Sequence, residues 1–311
     1  MPPKESIRVG RRTIEISNRD KVLFPDDGIT KGELIEYYRR IAPRVLPHLR
    51  DRPLTMERFP NGIEGERVFQ KEAPKYFPEW IPRVRVPKEK GTVSHPMCQD
   101  AAALVYVSNQ ASITPHVWLS RADRLDRPDQ MIIDLDPSQG FEQARAAALS
   151  TKALLDELDL PSFVKTTGSK GLHVTVPLDR QADVNTVKSF AVDVAALLAM
   201  REPDRLTVEF RKAAREGRLF VDAMRNGYAQ TAVPPYAVRP RPGAPVATPL
   251  RWEEVEDPKL RSDGWTIRTI FDRVEGMDDP WRALGRRAKG LGAARRRLDA
   301  LLDEARRGGG T

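Results

Sequence analysis

Apolar positions recur at helical spacing from Leu34 through Tyr37, Tyr38, Ile41 and Val45. Thr30-Lys31-Gly32-Glu33 stands just ahead of this run and reads as a capping box, so a helix starts at Thr30. Pro43 is expected to bend that helix or end it early. Residues 50–100 are rich in Pro and basic residues and read as short strands and loops. Ala101–Val107 is apolar throughout, which fits a helix or a buried strand. Met131–Asp136 reads as a buried strand stopped by Pro137. Phe141–Leu158, rich in Ala and Leu, reads as a helix, and Ser162–Lys165 as a strand. After a Gly turn the period becomes two: Leu172, Val174, Val176 and Leu178 share one strand face, His173 and Thr175 the other, polar one. Val187, Phe190, Ala191, Val194, Leu197 and Leu198 form one side of a further helix. Strands follow near Leu206–Arg211 and Leu219–Met224. This alternation predicts an α/β or α+β sheet domain. Six prolines between Pro234 and Pro249 predict a stiff, extended segment. Ala293–Arg307 reads as a basic helix, and the Gly308–Thr311 end as disordered.

Composition narrows the class. A chain of 311 residues, 40% of them hydrophobic, fits one large or two smaller domains with a substantial core. No apolar run reaches the roughly 18 residues of a membrane span, so no membrane partner is expected. The start, MPPKESIRVG, has no apolar segment, and no secretory leader is expected. Cys98 is the single cysteine, which excludes an internal disulfide and a Cys-rich zinc site and points to the cytoplasm. The net charge is +8, but residues 282–311 carry +6 of it. A uniformly basic surface is therefore excluded, and a nucleic-acid partner would have to be met by local basic clusters.

The chemistry concentrates in a few segments. Asp134 and Asp136 end an apolar strand and point to the same face, about 6.5–7 Å apart at Cα. Two like charges among apolar neighbours call for compensation, and oxygen ligands suit Mg²⁺ or Mn²⁺; a strand end with both acids in water would look the same. Asp222, inside Leu219–Met224, is a third acid in an apolar strand, and three such acids can hold a pair of metal ions. Gly168-Ser169-Lys170-Gly171 offers a close-approach loop, backbone N–H groups, a hydroxyl and an ammonium to phosphates, although it is not a Walker loop. His173 follows on the polar strand face. Arg239 and Arg241 alternate with prolines, a frame that presents guanidinium groups at low entropy cost.

Five segments occur in order: His116–Arg121, Ile133–Ser138, Thr167–His173, Phe220–Asp222 with Arg225-Asn226, and Thr231–Tyr236 running through Arg239 to Trp252. Together they resemble the polymerase domain of bacterial ATP-dependent ligase D, a branch of the archaeo-eukaryotic primase superfamily. The resemblance runs from about residue 10 to about residue 285. It implies an α+β fold: a primase-like catalytic core with an RRM-like sheet at about 126–285, an N-terminal α/β module at about 1–125, and a basic helix and tail at 286–311. It implies Asp134, Asp136 and Asp222 as catalytic ligands of two Mn²⁺ or Mg²⁺ ions. His116, Ser169, Lys170, Gly171, His173, Arg225 and Arg239 would contact the incoming nucleotide. Asn18, Lys21 and Lys31 would receive a 5′-phosphate, with the helix start at Lys31 adding its N–H groups and dipole. Arg58 and Phe69 would contact the template, although some members place two adjacent aromatics where this chain has Val68-Phe69.

The implied activity is template-dependent transfer of nucleotides, ribonucleotides preferred, to a primer 3′-hydroxyl during gap filling in non-homologous end joining. Gapped or broken DNA with a 5′-phosphate, rNTP or dNTP, Ku and an ATP-dependent ligase are the implied partners, in a cytoplasmic, nucleoid-associated setting. No Lys-x-Asp-Gly ligase motif occurs, so nick joining by this chain is not expected. A de novo primase, a non-catalytic end-bridging module and a metal-dependent nuclease stand as alternatives.

Overall fold

Thr30 caps the first long helix as its sequence predicts. Its hydroxyl accepts from Glu33 N at 3.2 Å, and the Glu33 carboxylate accepts from Thr30 N at 3.0 Å. In the computed structural model, which describes residues 5–308, this helix spans Lys31–Leu49 and runs through both Pro43 and Pro47. The expected early end at Pro43 does not occur. Each proline forfeits a backbone hydrogen bond, but Leu34, Tyr37, Tyr38, Ile41, Val45 and Leu49 are each at most 2% exposed. Burying that stripe, at roughly 1.5–3 kcal/mol per large side chain, outweighs the loss.

The chain forms two compact units. Residues up to Asp123, with Thr231–Thr248 and Trp265–Met277, make the first; Arg124–Gln230, Pro249–Gly264 and the chain from Asp278 onward make the second. The first unit holds a four-stranded antiparallel sheet in the order Thr231–Ala232, Ser112–Trp118, Leu54–Arg58, Val68–Gln70. Ala101–Asn109 is a helix, capped by the Asp100 carboxylate on Ala103 N at 2.8 Å. The proline-rich stretch is not an extended rod. Tyr236, Gly243 and Ala244 have φ of +63°, +80° and +46°, and turns fold the chain back so that Val238 bridges Val246. Proline fixes only its own φ; Val238, Ala244 and Val246 are fully buried, and their packing decides the path. Tyr37 Oη donates to Tyr236 O at 2.7 Å and Tyr38 Oη accepts from Val238 N at 3.1 Å, which ties this late segment to the first helix.

The second unit is built on a six-stranded sheet in the order Leu206–Thr207, Leu219–Asp222, Gln130–Asp136, Leu172–Pro177, Phe163–Thr166, Pro249–Leu250. All pairings are antiparallel except that of Leu206–Thr207 with Leu219–Asp222. Helices Phe141–Glu157 and Val184–Arg201 pack on this sheet, and helix Gly292–Gly308 packs along Val184–Arg201, burying Ala294, Leu298 and Leu302. Residues 309–311 of the expected disordered end lie outside the described residues. The strand expected to reach Arg211 stops at Thr207. The strand expected to reach Met224 stops at Asp222, whose Oδ1 accepts from Met224 N at 2.7 Å and turns the chain. The architecture is mixed α+β. Among the described residues no helix is long and apolar enough to cross a membrane.

Candidate active site and nucleic-acid surface

A row of polar residues crosses the sheet of the second unit. Lys165 faces His173, His173 faces Asp134, and Asp134 faces Asp222 on successive strands. Asp136, two residues beyond Asp134, shares its face and lies opposite Phe220. The strand face expected to be polar is polar but not wet: His173 is 3% exposed and Thr175 is fully buried. The row occupies that face with groups that answer one another.

Burial alone would raise the Asp134 carboxyl, but His173 and Arg225 hold it well below the usual carboxylate range. Arg225 Nε donates to Asp134 Oδ2 at 2.6 Å, and His173 Nε2 lies 3.5 Å from Oδ1. Burial, with the Lys165 charge beside it, drives His173 down to about 4 against the pull of Asp134. The imidazole is thus neutral at pH 7, and Arg225 supplies the positive charge that keeps Asp134 ionised. His173 Nδ1 is buried without a hydrogen-bond partner. Asp222 is raised by burial, with the charges of Asp134 and Asp136 adding to the effect. Arg215 Nη1 lies 3.4 Å from Asp136 Oδ2, and its guanidinium stacks 4.2 Å from the Phe220 ring centroid.

Among the described residues no three His, Cys, Asp or Glu side chains converge as a ligand set: Asp134 is turned to Arg225 and Asp136 toward Arg215. The donor chemistry still fits a hard divalent cation. Three carboxylates share one region of the sheet. Asp222, raised first by burial and then by Asp134 and Asp136, is the one for which no cationic hydrogen-bond partner is seen among the described residues, so a bound cation would stabilise its charged form.

The Gly168–Gly171 loop lies beside the Asp136 strand. A Cβ on Gly171 would meet Leu135 O at 1.9 Å, so that glycine is required for close approach. Two loop donors expected to face phosphate are instead used internally: Thr167 Oγ1 accepts from Ser169 N at 3.3 Å and Gly171 N at 3.2 Å. Ser262 Oγ donates to Gly171 O at 2.9 Å and braces the loop from behind. Ser169 and Lys170 line a cavity of about 340 Å³ with Pro137, Gln139, Arg261 and Asp263.

The remaining predicted residues belong to the first unit. His116 Nε2 lies 2.7 Å from Glu57 Oε2, and Arg67 Nε lies 2.8 Å from Glu57 Oε1. Burial would raise Glu57, but His116, Arg67 and Arg239 together hold it low, which places Arg239 in the same charged group. Phe69, 49% exposed, sits 5.7 Å from the His116 ring and 4.3 Å from the Arg67 guanidinium. Arg58 Nε donates to Gln110 O at 2.8 Å. Asn18, Lys21 and Lys31 are brought together by backbone bonds from Lys21 N to Asn18 O at 3.1 Å and from Lys31 N to Lys21 O at 2.8 Å. Lys31 is lowered to about 8 by burial and by the Lys21 charge; its Nζ donates to Ser17 Oγ at 3.1 Å and Asn109 O at 3.2 Å. The helix-end donors offered by the sequence reading are already taken: Lys31 N by Lys21 O, Gly32 N by Arg19 O, and Glu33 N by Thr30 Oγ1. Any anion here is left to side chains, the two ammonium groups and the Asn18 amide.

Sequence reasoning passed over Glu57, Arg67, Lys165, Arg215 and Thr167. Glu57 carried only a weak signal, because its strand Leu54–Arg58 reads Leu-Thr-Met-Glu-Arg and is not the apolar setting that marked Asp222. Arg215 carried none, because its role depends on the partners the fold brings to it; Thr167 stood in the Thr167–His173 segment without a role of its own.

Residues 30–281 match the family model "LigD, primase-polymerase domain". The chain is 35% identical over 270 residues to the multifunctional non-homologous end joining protein LigD of Mycolicibacterium smegmatis, covering 86% of this chain and 35% of that protein. It is 34% identical over 294 residues to LigD of Pseudomonas aeruginosa, covering 93% of this chain and 35% of that protein. The Bacillus subtilis bifunctional LigD is 30% identical, with 86% and 43% covered. The chain therefore spans between a third and a half of these relatives' length. Among solved structures, the polymerase domain of Mycobacterium tuberculosis ligase D in complex with DNA superposes with a TM-score of 0.82 at 31% identity, covering 89% of this chain and 99% of that one.

Proposed function

The chain belongs to the LigD primase-polymerase domain family, and from that premise we propose that it is a template-dependent nucleotidyltransferase that fills gaps and processes ends in non-homologous end joining. The observation that carries the reading is the register of Asp134 opposite Asp222 with Asp136 on the same face. A phosphate-binding module gains nothing from three carboxylates on one sheet face, whereas nucleotidyl transfer requires them.

In this reading Asp134, Asp136 and Asp222 would hold two Mn²⁺ or Mg²⁺ ions. Such ions, when bound, lower the pKa of a 3′-hydroxyl and offset charge on a triphosphate. The primer 3′-oxygen gives up its proton to solvent water and bonds to the α-phosphorus as the bond from that phosphorus to the leaving pyrophosphate breaks. Ser169, Lys170 and Arg225 bind the triphosphate, and His173 offers its unpartnered nitrogen. His116 and Arg239, fixed by Glu57, are the nucleotide contacts that the family resemblance implies, and Arg58 with Phe69 serves the template. Lys21 and Lys31, with Asn18, receive the 5′-phosphate across the gap. Ribonucleotides are the preferred substrates, and Ku and an ATP-dependent ligase act beside it on cytoplasmic DNA ends.

The test is extension of a labelled primer on a gapped duplex bearing a 5′-phosphate, with Mn²⁺ and either rNTPs or dNTPs. Templated addition that Asp136→Ala loses supports the reading, and an rNTP advantage supports the ribose preference. Undiminished addition by the variant overturns the assignment. Addition on a primer-free template would instead favour a de novo primase.

A further inference from the structure

The turn between strands Phe163–Thr166 and Leu172–Pro177 has its two ends tied together. Thr167 N donates to Gly171 O at 3.0 Å, and Gly171 N donates back to Thr167 Oγ1 at 3.2 Å. Ser169 N donates to the same oxygen at 3.3 Å, so one hydroxyl holds two amides of the turn. Ser262 arrives from a segment 91 residues after Gly171. Its Oγ donates to Gly171 O at 2.9 Å and lies 3.3 Å from Thr167 Oγ1. A serine hydroxyl has one hydrogen. Ser262 gives that hydrogen to Gly171 O, so Thr167 is the donor between the two hydroxyls. Donation therefore runs one way: two amides to Thr167, Thr167 to Ser262, Ser262 to Gly171 O. Thr167 and Ser262 are 6% and 5% exposed, which keeps water from competing for these groups. Ser262 is itself held in a short turn, in which Leu260 is buried and Leu260 N donates to Asp257 O at 3.1 Å. The tip of the 167–171 turn is different: Ser169 is half-buried and Lys170 exposed, and both line the cavity of about 340 Å³.

We propose that Ser262 is a positioning residue for the incoming nucleotide: its hydroxyl, acting with that of Thr167, holds the 167–171 turn in the shape that presents Ser169 and Lys170 to phosphate. The proposal rests on the triphosphate role given to those two residues above. Surface loops are mobile by default, and a loop that must order as it binds loses affinity by the cost of that ordering. Here the order precedes any ligand, and part of it comes from outside the turn. Ser262 touches no phosphate in this reading. Removing its hydroxyl takes one acceptor from Thr167 and one donor from Gly171 O, and so loosens the turn that carries Ser169 and Lys170. Those two residues hold the triphosphate before and during the reaction alike, so the loss falls on nucleotide affinity and not on the chemical step.

Isothermal titration of ATP with Mn²⁺ into the full chain reads nucleotide affinity without turnover and so stands apart from the polymerase assay. Ser262→Ala is expected to weaken ATP roughly three- to ten-fold, the range of one neutral hydrogen bond, while the affinity for gapped duplex is kept. In primer extension the KM for the nucleotide should rise by the same factor with kcat unchanged. Thr167→Val removes the other hydroxyl at nearly constant shape and should weaken ATP at least as far; Thr167→Ser keeps the oxygen and should retain most of the affinity. A serine that only stabilised the fold would lower the thermal midpoint of Ser262→Ala and leave its ATP affinity unchanged, and that result overturns the proposal. So does a loss of ATP and duplex affinity by the same factor, or Thr167→Ser falling as far as Thr167→Val. A chain that binds ATP in this serine-dependent way but adds no nucleotide to a primer would count against the polymerase reading alone.

Discussion

Asp134 and Asp222 stand directly opposite each other on neighbouring antiparallel strands. Like charges in that position repel, but the two acids are not equivalent. Asp134 is compensated by Arg225 and flanked by His173, whereas Asp222 is raised by burial and by its acidic neighbours. We expect Asp222→Asn to stabilise the fold by roughly 0.5 kcal/mol while abolishing primer extension, since Asn can still accept from Met224 N. Asp134→Asn should abolish extension too, but destabilise, because it strands Arg225. Urea denaturation alongside extension separates the two; Asp222→Asn with normal extension would remove it from the site.

Gly171 makes a different kind of demand. A Cβ there would lie 1.9 Å from Leu135 O, the backbone between the two proposed metal ligands. Gly171→Ala is expected to cost about 3 kcal/mol or more, because a strand and not a side chain must move. Gly292→Ala, where nothing lies within 4 Å of the added atom, should be neutral or gain up to about 1 kcal/mol from helix propensity. Thermal denaturation of both variants checks this, and a stable Gly171→Ala would mean the loop sits further from the strand.

These two sites also show what the sequence could and could not disclose. The period-two pattern at Leu172–Leu178 revealed which residues share a face, because side-chain direction is local. It did not reveal that the polar face is buried, since that depends on Lys165, Asp134 and Asp222 arriving from three other strands. Helix Lys31–Leu49 was legible at its start, where the Thr30 cap is local, and misleading at Pro43, where distant packing wins. The proline-rich segment was misread for the same reason: its path is set by Tyr37 and Tyr38, about 200 residues away. The three acids were legible because a carboxylate in an apolar strand is rare enough to need a reason. Arg215 was not, because one arginine among many carries no local mark.

Asn226 acts as a piece of strand. Leu219–Asp222 pairs with Asp134–Asp136 and then ends. Beyond it the Asn226 amide continues the ladder, accepting from Ile132 N at 2.9 Å and donating to Ile132 O at 2.7 Å and Ala223 O at 2.8 Å. Asn226 is 2% exposed, so no water replaces it easily. Asn226→Ala leaves a buried N–H and a buried carbonyl unmatched, at about 1–3 kcal/mol each. Asn226→Asp should fare no better, because a carboxylate cannot donate to either carbonyl. We expect both to lower the urea midpoint strongly, and to weaken extension because Arg225 is the adjacent residue. A loss under about 1 kcal/mol in either variant would show the ladder closes by other means.

Lys31 ties the proposed 5′-phosphate contact to pH. Burial and the Lys21 charge lower it from 10.5 to about 8, so its ammonium is lost as pH rises through the upper physiological range. A terminal phosphate is already a dianion above roughly pH 7, so from pH 7 to 9 the change in this pair comes from Lys31. The affinity ratio for gaps with and without the 5′-phosphate should therefore fall several-fold over that interval, and Lys31→Ala should flatten it at both ends. Stability must move the other way. Between about 8 and 10.5 the unfolded chain keeps a proton the folded chain has released, so this group makes the fold more stable as pH rises across that window. Opposite slopes for binding and stability identify a buried ammonium that the fold makes easier to discharge and that a bound phosphate would hold charged. A phosphate preference that does not change from pH 7 to 9 would take Lys31 out of the pocket and leave Lys21 to carry it.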